Sequence, residues 1–112
     1  MKLVVGIVKP FKVEEIKEAV RAAGVAGLTV SEARGFGRQR GHTEVYRGTE
    51  YQVDFVPKSR VEVMVEDEQL DDVIEAIVTS ARTGKIGDGK IMVLPLDDVV
   101  RIRTGDHGSE AL

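Results

Sequence analysis

The densest chemistry in this chain lies in residues 83–90, TGKIGDGK, where three glycines, an aspartate and two lysines share one short stretch. Glycine supplies backbone freedom and lysine supplies positive charge, the combination that an anion such as phosphate requires. From Gly84 the string fits GxxxxGK, but Ile91 follows where a Walker A loop needs a Ser or Thr hydroxyl for magnesium. A Walker A loop also opens a helix whose N-terminus receives the phosphates, whereas IMVL at 91–94 is a short, strand-like run closed by Pro95. An ordinary P-loop nucleoside triphosphatase is therefore excluded, and a local anion site is left open.

Two more basic clusters point the same way. Arg38 and Arg40 stand beside Gly35, Gly37 and Gly41, while Arg101 and Arg103 are spaced to share one face of an extended segment. Paired guanidiniums offer a planar fork for phosphate oxygens. Any one cluster is equally well explained by pairing with some of the 19 acidic side chains on a solvated surface. Three clusters, two of them flanked by glycine, weaken that explanation. Covalent catalysis has little support: there is no cysteine and no GxSxG elbow, and the histidines are His42 and His107. No HxH, HExxH or carboxylate cluster has metal-binding spacing, so a standing metal ion is not expected, although magnesium could arrive with a nucleotide.

These residues must be positioned by a small body. A chain of 112 residues reads as a single domain, 1–112, able to bury roughly 65% of its unfolded surface. Hydrophobic content of 42% and charged content of 31% are ordinary for a soluble domain. No apolar run approaches the roughly 20 residues of a membrane span. MKLVVGIVKP starts like a signal peptide but meets Lys9 and Pro10 too soon, and reads better as a first strand. Absence of cysteine makes the cytoplasm the expected location. A net charge of −3 and a pI near 5.4 argue against a nucleic-acid surface, so any anion site must be local.

The elements follow from periodicity. KLVVGIVK (2–9) predicts a strand, and Val13, Ile16, Val20 and Ala23 predict a helix that Gly24 stops. LTVSEARGFG (28–37) predicts a second strand. SRVEVMVE places Val61, Val63 and Val65 on one face of a third. Asp67 is the expected cap of a helix carrying Leu70, Val73, Ile74, Ile77, Val78 and Ala81 and ending at Gly84. IMVL and DVVRIRT (98–104) predict two further strands before a polar tail, the whole tail segment running over about 97–112. The order predicts an α+β, ferredoxin-like split βαβ (βαββαβ): an antiparallel sheet with both helices on one face. The first strand is apolar on both faces, and self-association is the economical cover for the second. The insertion of 37–54 far exceeds a hairpin connection, and a loop that long in a compact domain generally carries function.

Two alternatives use the same plan. RNA-recognition domains stack bases on sheet aromatics, but aromatic content is 4% here, with none in the first or third strand. A His-dependent phosphotransferase would use His42, yet nothing in the sequence is set to orient and activate that imidazole.

GFGRQRGHTEVYRGTEYQVDF (35–55) and TGKIGDGKIMV (83–93), with KPF at 9–11 and RIRTG at 101–105, closely resemble the PII nitrogen-regulatory signal-transduction proteins. The similarity runs through almost the whole chain without gaps. It implies a non-enzymatic, cytoplasmic homotrimer whose three intersubunit clefts bind ATP or ADP competitively, and 2-oxoglutarate through magnesium-ATP. By position, the resemblance implies nucleotide contacts from Gly35, Gly37, Arg38 and Gln39 and a phosphate wrap from Gly87, Asp88, Gly89 and Lys90. Arg101 and Arg103 would reach in from the adjacent subunit, and Thr29 and Met64 would lie at the base pocket. Gln39 would ligate magnesium. Backbone near Gln39, Arg40 and Gly41, together with Gly87, would hold 2-oxoglutarate, and Lys58 would pair with its distal carboxylate. The long segment, about 37–55, would be the partner-reading T-loop, with Tyr51 as the site of uridylylation or adenylylation by a nucleotidylyltransferase. Implied partners are an ammonium transporter, which would recruit the protein to the membrane face, and enzymes or regulators of nitrogen metabolism; nucleic acid is not among them. Thr49 stands where Ala or Ser is usual, which excludes a phosphoserine there. Met64 and Met92 replace a branched aliphatic and an aromatic, changes of packing rather than of charge.

Overall fold

The sheet is organised by its first strand. The computed structural model describes residues 1–37 and 55–112 in full, and residues 42–46 and 49–53 by their backbone. β1 (Lys2–Val8) lies at the centre, pairing antiparallel with β5 (Val56–Val65) on one side and β6 (Lys90–Pro95) on the other. β2 (Thr29–Gly35) pairs antiparallel with the far edge of β5, giving the order β2-β5-β1-β6. With α1 (Val13–Ala22) between β1 and β2 and α2 (Leu70–Ala81) between β5 and β6, this is the predicted ferredoxin-like arrangement.

Strand alternation decides what faces the helices. The register aligns Lys2 with Val65, Val4 with Val63, Gly6 with Val61 and Val8 with Ser59 on one face. Val4, Val8, Val61, Val63 and Val65 are buried there against Ile16 and Val20 of α1 and Val73, Ile77 and Ala81 of α2. Each such valine or isoleucine contributes about 1.5–3 kcal/mol on leaving water. The opposite face carries Leu3, Val5 and Ile7 of β1 beside Met64, Met92 and Leu94. Val5 is enclosed by its neighbours, but Met64, Met92 and Leu94 remain 46%, 43% and 44% exposed.

Four local features differ from the sequence expectation. The start of α2 does not use Asp67 as its cap: a 3-10 turn over Asp67–Gln69 precedes it, and the Glu66 amide donates to Gln69 Oε1 at 3.1 Å. The Asp67 carboxylate lies instead 3.0 Å from the Met1 amino nitrogen. α2 ends at Ala81 rather than at Gly84. The long insertion contains β3 (His42–Tyr46) and β4 (Thr49–Val53), an antiparallel pair running from His42↔Val53 to Tyr46↔Thr49. At its root, Phe36 and Phe55 meet edge to face, with centroids 5.7 Å apart.

The fourth difference concerns the expected strand DVVRIRT. Val100 forms an isolated bridge to His107, Arg101 N–H donates to the Asp106 carbonyl at 2.9 Å, and Gly105 N–H donates to the Arg101 carbonyl at 2.7 Å. Gly105, with φ of 73°, reverses the chain at once, so the segment forms a tight hairpin and joins no sheet. Asp98 closes the hairpin by accepting from the Val99 and Gly108 amides and meeting His107 Nδ1 at 2.7 Å. No helix among the described residues is long and apolar enough to cross a membrane.

Candidate anion-binding site

α2 gives way to the 82–89 segment because Arg82 adopts extended backbone, φ −70° and ψ 129°, after donating its N–H to the Val78 carbonyl. From there the chain loops to β6 through Gly84, Gly87 and Gly89, which adopt φ of 85°, 96° and 101°. Strand β6 follows, not a helix, so the loop is not a Walker A element. Gly89 also crosses β1 closely: a Cβ added there would lie 1.6 Å from the Ile7 carbonyl oxygen.

Asp88 organises the loop. Its Oδ2 accepts from the Thr83 and Gly84 amides, both at 2.9 Å, and its Oδ1 accepts from Thr83 Oγ1 at 2.5 Å and lies 3.2 Å from Lys9 Nζ. These donors, led by the Thr83 hydroxyl, hold the Asp88 carboxyl well below the ordinary carboxylate range against a smaller opposing effect of burial. Lys58 Nζ reaches in from β5 and donates to the Gly87 carbonyl at 2.5 Å. Burial, and then the neighbouring Lys9 charge, lower the Lys58 ammonium from its usual value, while Asp88 acts in the opposite direction. The result is a turn of left-handed glycines with Lys9 paired to Asp88 and with Lys58 and Lys90 on the strands beside it, a combination of backbone amides and positive charge suited to an anion. Among the described residues no group of three or more His, Cys, Asp and Glu is placed to hold a metal ion, and lysine ammoniums with glycine amides are the donor types that phosphate and carboxylate oxygens accept from.

The predicted site residues divide into two places. Gly35 pairs with Val56, and Lys58 contacts Gly87, so Gly35, Lys58 and the Gly87–Lys90 loop gather at one end of the sheet. Thr29 pairs with Glu62, beside Met64, at the other end, and the separation from Lys58 to Met64 is six residues of β5, about 20 Å. The tail leaves the sheet at that second end, where the Leu96 amide donates to the Met1 carbonyl at 3.1 Å. It carries Arg101, whose Nη2 donates to the Leu112 carbonyl at 2.9 Å, and Arg103 on the exposed turn; the two do not share a strand face. Within one copy the two groups do not meet. Arg38, Gln39, Arg40 and Gly41 lie outside the described residues, and Thr49 and Tyr51 are placed only as backbone positions of β4.

Sequence reasoning missed Lys9 and Thr83 as site residues. Thr83 carried a usable signal: a hydroxyl residue just after a helix, followed by Gly and by an Asp five positions on, invites side-chain bonds to local backbone. Lys9 carried none, since its partner Thr83 lies 74 positions away. The four strands of the main sheet contain no Phe, Tyr or Trp, which removes the stacking platform that an RNA-recognition domain uses.

Comparison with known proteins is consistent with this geometry. The family model described as "Nitrogen regulatory protein P-II" matches residues 1–106. The "Nitrogen regulatory protein P-II" of Azospirillum brasilense is 57% identical over 112 residues, and that of Rhizobium etli 58%, each alignment covering 100% of both chains. That of Pasteurella multocida is 54% identical over the same full length.

Proposed function

We propose, from the premise that this chain belongs to the nitrogen regulatory protein P-II family, that it is a non-enzymatic sensor of adenine nucleotides and 2-oxoglutarate. The observation that carries this reading is the division of the site between the two ends of the sheet. A nucleotide that touches both the 87–90 loop and the Thr29–Met64 end needs two copies of the chain, the loop end of one facing the tail end of the next. A cyclic homotrimer would supply three such seams and cover the open apolar face of Met64, Met92 and Leu94.

In that assembly, glycine amides of the 87–89 loop and the charges of Lys90, Arg38 and the neighbour's Arg101 and Arg103 receive the phosphates of ATP or ADP. Thr29 and Met64 border the base, and Gly35, Gly37 and Gln39 bound the cleft. Magnesium bound with ATP supplies a Lewis-acid bridge, and Gln39 is the residue of this chain that would meet it. Backbone of Gln39, Arg40, Gly41 and Gly87 and the ammonium of Lys58 hold 2-oxoglutarate. Magnesium arriving with ATP would supply positive charge next to Gln39 that ADP alone would not, so 2-oxoglutarate is expected to couple to ATP and not to ADP, by about 1–3 kcal/mol. The ligand state then selects among populations of the 37–55 segment, which partners such as an ammonium transporter or enzymes of nitrogen metabolism read at the cytoplasmic face. Tyr51, on that segment, is the acceptor for a nucleotidylyltransferase.

Isothermal calorimetry tests the scheme. 2-oxoglutarate should bind in the presence of magnesium and ATP and fail to bind with ADP; equal binding in both would overturn the bridged site.

A further inference from the structure

The Thr83 hydroxyl uses its whole hydrogen-bonding capacity. It donates to Asp88 Oδ1 at 2.5 Å and accepts from the Lys85 amide at 3.2 Å and from Lys9 Nζ at 3.1 Å, one donor and two lone pairs in all. Asp88 is equally committed, since four donors, Thr83 Oγ1, the Thr83 amide, the Gly84 amide and Lys9 Nζ, occupy its two oxygens. A carboxylate filled in this way has no lone pair left for a metal ion or for a ligand donor. Its negative charge is met by Lys9, whose side chain is 12% exposed, so it does not confront an incoming anion unopposed.

We infer that Lys9, Thr83 and Asp88 are positioning residues, a brace that fixes the 83–89 loop in its anion-receiving shape before any ligand arrives. The inference rests on the anion-site reading above for its consequence but not for its geometry. Three parts of the fold converge on the brace: the end of β1 through Lys9, the exit of α2 through Thr83, and the entry to β6 through Asp88. The loop's glycines make many conformations accessible, and without a constraint the ordering cost would fall on ligand binding. With the constraint in place, the Gly87 carbonyl stays in reach of Lys58 and the loop delivers Lys90 at the start of β6, while Lys9 is spent on the brace. Asp88 therefore acts on phosphate indirectly, through the loop it shapes, and its side chain makes no contact with the ligand.

The experiment compares the native protein with Thr83→Val, which preserves shape but cannot hydrogen-bond, and Thr83→Ser, which restores the hydroxyl. Amide hydrogen exchange is measured without ligand at Thr83, Gly84 and Lys85, with the amides of β1 and β5 as internal reference. Thr83→Val should exchange at least about tenfold faster at those three amides, the weight of one hydrogen bond to a charged group, with the reference strands unchanged. Thr83→Ser should exchange like the native protein. Calorimetry with ATP and with adenosine forms the second arm: Thr83→Val should weaken ATP by about tenfold and leave adenosine unaltered, and Lys9→Met should do the same. Unchanged exchange in Thr83→Val, or failure of Thr83→Ser to rescue, overturns the brace. Equal losses for ATP and adenosine overturn its link to phosphate. Should the native protein bind no ATP, the sensing function fails while the exchange arm still decides the brace.

Discussion

Replacing Gly89 by alanine is the sharpest perturbation the loop offers, because two separate penalties can be worked out. The residue sits at φ of 101°, a conformation L side chains rarely adopt, at a cost of about 1–2 kcal/mol. In addition, the new Cβ would lie 1.6 Å from the Ile7 carbonyl oxygen and 2.8 Å from its carbon. Ordinary carbon–oxygen contact needs about 3.3 Å, so loop and strand must separate by roughly 1.7 Å. The obstacle is backbone, and Ile7 is the register partner of Lys90, so the movement opens the end of the β1–β6 ladder. Losing one or two ladder bonds adds about 0.5–3 kcal/mol, for a total of about 1.5–5 kcal/mol. Gly84→Ala is the matched control: φ is 85° there, but nothing lies within 4 Å of the added carbon, leaving only the conformational cost. Denaturant unfolding at equal protomer concentration, with ATP calorimetry on the folded variants, measures both effects. Gly89→Ala should lose about 0.5–3 kcal/mol more stability than Gly84→Ala, and should bind ATP more weakly because the loop is displaced. Equal stability of the two variants would refute the close crossing of loop over strand.

Two other predictions concern charge and surface. The Asp88 carboxyl is held below its ordinary value of 3.8, so its ionised form stabilises the folded protein fully above that pH and progressively less as pH falls toward the folded value; the stability advantage of native protein over Asp88→Asn should be present at neutral pH and shrink below 3.8, and an advantage independent of pH would contradict the donor set described. Leu94→Glu places a charge on the open sheet face, where Leu94 is 44% exposed, so the isolated fold should tolerate it while the proposed self-association should fail; sedimentation velocity should show an oligomer for the native chain and monomer for the variant, and an oligomer unchanged by the substitution would exclude that face from the interface.

The sequence was most legible where one periodic signal ran long enough to be unambiguous. The recurrence from Leu70 to Ala81 defined α2, and the alternation of Val61, Val63 and Val65 defined β5 together with its buried face. The same alternation misled at 98–104, because a pattern of side chains says which face is apolar but not whether a neighbouring strand is there to pair with. Gly105 turned the chain back on itself before the sheet was reached. Asp67 had the right chemistry for a cap, but Glu66 and Gln69 one position earlier close the turn reciprocally, and local spacing alone does not rank the two options. In the site, the glycine and lysine content of 83–90 announced an anion loop, while its brace depended on Lys9, a contact of 74 residues' separation that only the folded topology creates.

The neck of the long excursion has one further consequence. Gly35 is paired to Val56 and Phe36 meets Phe55 edge to face, so the two stems are already tied together by the main sheet and by an aromatic clasp. What lies beyond the clasp can be lengthened or shortened at a cost that grows only logarithmically, about 0.6 kcal/mol per doubling. The body of the protein therefore fixes both stems of the segment by itself, and a change in the number of residues between them draws little on the stability of the main sheet.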